Sequence, residues 1–102
     1  MENMTPSSKN YRSELVIAWA SLTAEARSLV ESLSERCADG LAMELHRLAT
    51  AGTDRNYRFG RCRGFIEAAG QRDELTYQQA SDLLDYCSRI DLNRRAMERQ
   101  SK

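Results

Sequence analysis

Pro6 is the only proline in the chain, and no alternating apolar–polar run is long enough to make a strand. Beyond position 6 no residue removes a backbone donor from a helix. Apolar residues recur there at steps of three and four, which collects them on one helical face. Ala, Leu, Glu, Arg and Gln are frequent and favour helix. The expected fold is all-α, a compact bundle of about four helices with a long first helix. It forms a single helical domain over 1–102, with ends 1–6 and 98–102 frayed.

Thr5-Pro6 reads as an N-cap followed by proline at the first helical position, where the missing N–H costs nothing. The stripe Tyr11, Leu15, Trp19, Leu22, Ala26, Leu29, Leu33, Cys37 predicts a continuous first helix from about Ser7. Val16, Ile17 and Val30 fall off that stripe. Thr23, with Glu25 in the turn after it, is the alternative start of a fresh helix. Asp39-Gly40 marks an end or a bend, because glycine costs about 1 kcal/mol in a helix relative to alanine. Leu41, Leu45, Leu48 and Ala49 give a short second helix stopped by Gly52. Thr53 or Asp54 then caps a third over about Arg55 to Ala69, with Gly70 as its C-cap. Thr76 and Gln79 spell a capping box, with Leu75 stapled to Ala80. The last helix carries Ala80, Leu83, Leu84, Cys87, Ile90 and Met97 on one face.

A length of 102 residues bounds one small domain. Leu, Ile, Val and Phe number only 18, so the core is thin and close Ala and Gly contacts are expected to supplement it. Fifteen cations balance fifteen acids, and thirteen of the cations are arginine. Zero net charge argues against a dedicated basic nucleic-acid binder and leaves room for a local patch. Cys37, Cys62 and Cys87 are an odd set without C-x-x-C spacing, read as buried structural thiols in a reducing cytoplasm. No run approaches the roughly 20 apolar residues that span a bilayer, so no membrane is implied. His46 stands alone, and these cysteines lack zinc-motif spacing. Asp82 with Asp85 and Glu31 with Glu35 read as solvent-facing pairs. No catalytic, metal or cofactor constellation emerges.

The densest chemistry is Arg55 to Phe65, RNYRFGRCRGF, with four arginines, three aromatics, two glycines and no acid. As a strand it fails the RNA-recognition octamer, because Ile66 and Glu67 follow Arg63-Gly64-Phe65 where a small and an aromatic residue are required. As a helix it places Gly60, Gly64 and Ala68 in one strip. That predicts a second helix lying close against the strip to offset the helix-breaking cost of two glycines. Arg58 and Arg61 flank the strip one turn apart, while Arg55 and Arg63 point elsewhere. The candidate partner-binding residues are Arg55, Tyr57, Arg58, Arg61 and Arg63, since arginine and tyrosine are enriched in interface hot spots.

The run Tyr57-Arg58-Phe59-Gly60, Gly64-Phe65-Ile66, Ala68, Leu75-Thr76 and Gln79 resembles a pattern in small helical accessory proteins of phages and plasmids. That group includes inhibitors of host machinery such as anti-CRISPR proteins. The resemblance implies a mobile-element inhibitor or regulator and carries over no site residue. The leading expectation is a non-enzymatic protein-binding domain that occludes a partner's surface. The alternatives are a nucleic-acid-binding regulator using Arg55 to Arg63, and a structural homodimer paired along Leu15, Trp19, Leu22, Leu29 and Leu33.

Overall fold

A computed structural model describes residues 6–50 and 54–100. These residues are all-helical, without a strand. The helices are α1 Pro6–Ser21, α2 Ala24–Val30, α3 Glu35–Thr50, α4 Arg55–Gln71 and α5 Tyr77–Gln100. Extents of 45 × 41 × 23 Å make the molecule about two helix diameters thick. α3 packs against each of the other four helices.

The long first helix is not formed. Pro6 opens α1 as its position predicts, while Thr5 lies outside the described residues. The helix stops at Ser21 because Thr23 caps a new one: its backbone is extended and its Oγ1 accepts from the Ala26 amide at 3.2 Å. The Arg27 guanidinium donates to the Trp19 carbonyl at 2.7 Å, adding to the 3.3 Å bond that this carbonyl accepts from the Leu22 amide at the end of α1. A second break at residues 31–34 separates α2 from α3. The longest helix is the last, with 24 residues. Its final turn overlaps the end expected to fray from 98, and there Glu98 pairs with Arg55.

The apolar stripe was legible even though the helix was not. Leu22, Ala26 and Leu33 are buried, and Leu15, Trp19 and Leu29 are half-buried. All but Leu15 pack in or against the protein's own core, so the stripe is not a bare seam for a second copy. Val30, expected off the stripe, is fully buried, whereas Val16 and Ile17 are exposed.

Asp39-Gly40 neither ends nor bends α3 into two pieces; the helix runs through it. A Cβ at Gly40 would stand 2.8 Å from the ring of Phe65 on α4, so the missing side chain admits an aromatic from the neighbouring helix. Residues 41 to 45 are all buried, because α3 is enclosed by its neighbours. Its end near the predicted Gly52 stop adjoins residues 51–53, which lie outside the described set.

At the other end of α4, Gly70 is not the left-handed cap. That role falls to Asp73, with φ 61°. The Glu74 amide bonds the Ala69 carbonyl at 2.9 Å and the Asp73 amide bonds Gly70 at 3.1 Å, a Schellman closure built on aspartate. The capping box that follows is formed as read. Gln79 N donates to Thr76 Oγ1 at 3.1 Å, and Thr76 N donates to Gln79 Oε1 at 2.8 Å. Leu75 is buried and Ala80 packs on the core. Leu83 and Cys87 continue that face inward, but Met97 is exposed.

Candidate functional site

The glycine strip of α4 faces away from its neighbours. Gly60 and Gly64 are exposed, and a Cβ on either would meet nothing within 4 Å. The packed face is instead Phe59, Cys62, Ile66 and Ala69, spaced three, four and three. The physical reason is magnitude. Burying side chains such as Phe and Ile contributes about 1.5–3 kcal/mol each, and burying bare glycine surface contributes little. Among the described residues no second helix lies on the strip, so the close approach expected at Gly60 and Gly64 is not formed there. It occurs at Gly40.

That orientation sends the arginines of α4 in three directions. Arg58 and Arg61 reach toward α3 and Glu44, which is 4% exposed. Arg61 Nε lies 3.0 Å from Glu44 Oε2, Arg58 Nη1 3.5 Å from Oε1, and Arg47 Nη1 3.8 Å from Oε2. Burying a lone carboxylate costs several kcal/mol, so these guanidinium groups are a condition of Glu44 lying inside. The bond to Glu44 raises the Arg61 pKa above its ordinary value. Arg47 is shared outward with Glu14 on α1, at 3.2 Å from Nε to Oε2. Their hydrogen bond lowers the Glu14 pKa and raises that of Arg47. One buried acid thereby ties together α3, α4 and, through Arg47, α1.

Arg55 turns the other way, to α5. Its Nε lies 3.2 Å from Oδ1 of the buried Asp91, and its Nη1 pairs with Glu98. Arg95 bonds the second Asp91 oxygen at 2.9 Å. Arg94 donates to the Ala49 carbonyl at 2.9 Å, so the last turns of α5 hold both the start of α4 and the end of α3. Arg63 points outward and pairs with Glu67 one turn along, at 3.2 Å.

Tyr57 is 59% exposed. The Arg58 and Arg61 guanidinium carbons lie 5.7 and 5.9 Å from its ring centroid, within cation–π range. Both arginines also touch Glu44, so a buried charge positions the two groups that frame an exposed aromatic.

Of the five candidate residues, the structure brings Tyr57, Arg58 and Arg61 together and separates Arg55 and Arg63 from them. Glu44 and Asp91 were missed, although both left a signal. Glu44 is the lone acid in the apolar run Leu41 to Leu45, and Asp91 falls four residues after Cys87 on the buried face of α5.

Cys62 and Cys87 are fully buried. Contact with Cys87 and exclusion from water push the Cys62 thiol far up, keeping it protonated. Cys37 departs from expectation: it is half-buried, and its sulfur accepts from Arg72 at 3.3 Å. Among the described residues no group of three His, Cys, Asp or Glu side chains could hold a metal ion, and no helix is long and apolar enough to cross a membrane. Comparison with protein-family models, curated proteins and solved structures finds no match.

Proposed function

We propose that the protein is a non-enzymatic, protein-binding helical domain that acts by occlusion, laying a preformed face over a functional surface of its partner. The observation that carries this reading is the exposed Tyr57 framed by Arg58 and Arg61, both tied to Glu44. Tyrosine and arginine dominate interface hot spots. Side chains ordered before contact lose less entropy on binding, so a Glu44-anchored Tyr/Arg cluster is suited to recognition. Arg63 sits at the edge of this face, and Arg55 acts behind it as an anchor to α5. The further reading, a cytoplasmic inhibitor or regulator of host machinery of the anti-CRISPR kind from a mobile element, rests on the sequence resemblance alone.

Nucleic-acid binding by the same arginines is the second reading. It is favoured by a local excess of charge, with Arg47, Arg58 and Arg61 set against Glu14 and Glu44. Affinity capture from host lysate with the native protein and with Tyr57→Ala, beside a gel shift at two salt concentrations, separates the two. The protein-binding reading expects a captured protein whose retention falls at least about tenfold with Tyr57→Ala while the circular dichroism is unchanged. Nucleic-acid binding that weakens steeply with salt, without a captured protein, overturns it.

A further inference from the structure

A second surface lies between α2 and α5, and none of its lining residues belongs to α4. It is an open groove of about 930 Å³. Leu29 from α2 and Tyr86 and Ile90 from α5 form an apolar floor, half-buried and packed on the core beneath. Glu25 rises on the α2 wall, and Asp82 and Asp85 on the α5 wall. Arg89 is the groove's one cation, leaving three acids against one base.

Six of the described acids pair with an arginine, whereas the groove acids, like Glu31, Glu35, Asp54 and Asp73 elsewhere on the surface, form no ion pair among the described residues. Asp82 accepts from Gln78 Nε2, at 2.9 Å. Three acids against Arg89 leave this groove with a net negative charge beside its half-buried apolar floor. The negative walls repel phosphate and disfavour nucleic acid. Apolar floor and charged walls together match the two faces of an amphipathic helix bound in a groove.

We propose that the α2–α5 groove docks a basic amphipathic helical segment of another protein. The segment's apolar residues rest on Leu29, Tyr86 and Ile90, and its Lys or Arg side chains meet Glu25, Asp82 and Asp85. These residues are distinct from the Tyr57 cluster, so the two proposals fail independently.

The test is fluorescence anisotropy with a labelled synthetic Leu/Lys amphipathic peptide of about four helical turns. The groove predicts saturable binding, weakened about tenfold by the triple variant Glu25→Gln/Asp82→Asn/Asp85→Asn. The charge-matched control Glu31→Gln/Glu35→Gln/Asp73→Asn leaves binding unchanged, and the Leu/Glu version of the peptide does not bind. Circular dichroism checks that both variants fold. Absence of saturable binding, an equal loss in the control variant, or equal binding of the Leu/Glu peptide overturns the proposal. Sedimentation showing a dimer that the groove variant abolishes also overturns it, because the occupant is then a second copy.

Discussion

The two faces of α4 use the same residue types to opposite ends. Toward α3, Arg58 and Arg61 converge on Glu44, and Phe65 fills the space left by Gly40. Away from it, Arg63 pairs with Glu67 in solvent, and Gly60 and Gly64 have nothing over them. Arginine is an internal anchor on one side and a solvated charge on the other. Glycine makes room for a neighbour at Gly40 and carries only a helix penalty at Gly60 and Gly64. What a residue contributes here depends on which face the apolar neighbours Phe59, Cys62, Ile66 and Ala69 have turned inward.

The sharpest way to break this contrast is Glu44→Ala. Removing the buried acid leaves three partly solvated guanidinium groups without their shared partner, and a loss of about 1.5–3 kcal/mol is expected in urea unfolding. A loss under about 1 kcal/mol, the range of a surface pair, would erase the distinction between the two faces.

Gly40→Ala comes next. The new methyl group collides with Phe65, at an overpacking cost of about 1–3 kcal/mol against about 1 kcal/mol gained in helix propensity. A net destabilisation of about 1 kcal/mol is expected, and Phe65→Leu in the same chain should relieve it. Gly60→Ala and Gly64→Ala should go the other way. Neither glycine has a positive φ or a neighbour to strike, so each change stabilises by about 0.5–1 kcal/mol in thermal unfolding. If either lowers the midpoint, something covers that face.

The smallest effect concerns pH. The folded-state pKa of Glu14 lies below its ordinary 4.5, through its hydrogen bond to Arg47. The pair's stabilisation is therefore complete above that ordinary value and is lost as pH falls through the lower, folded one. Because both groups are about a third exposed, the contribution is about 0.2–1 kcal/mol. Glu14→Gln should reduce the acid-dependent loss of stability between neutral pH and pH 3 by that amount and leave the rest of the curve in place.

Local features proved readable because their determinants are adjacent in sequence. Thr76 and Gln79 contain their own hydrogen-bonding instructions. The all-α class followed from periodicity, and the stripe from Leu22 to Leu33 names real core positions. Its continuity misled because the same three-and-four spacing runs across the Thr23 break, where one side-chain bond redirects the chain without disturbing the pattern. The orientation of α4 was also present in the spacing of Phe59, Cys62, Ile66 and Ala69, but the glycines drew the eye. Their meaning depends on a partner 25 residues away in the case of Gly40 and Phe65. Glu44 was hardest to foresee, because an acid becomes tolerable inside only when arginines from another helix arrive, and that meeting is tertiary.

A double-mutant cycle between Glu44 and Arg61 reads that meeting directly. With Glu44→Gln, Arg61→Gln and the pair together, unfolding free energies should show a coupling of at least about 1 kcal/mol, as for groups in one buried network. Additivity within about 0.3 kcal/mol would mean that the two side chains act independently, and Tyr57 would then have no anchored frame.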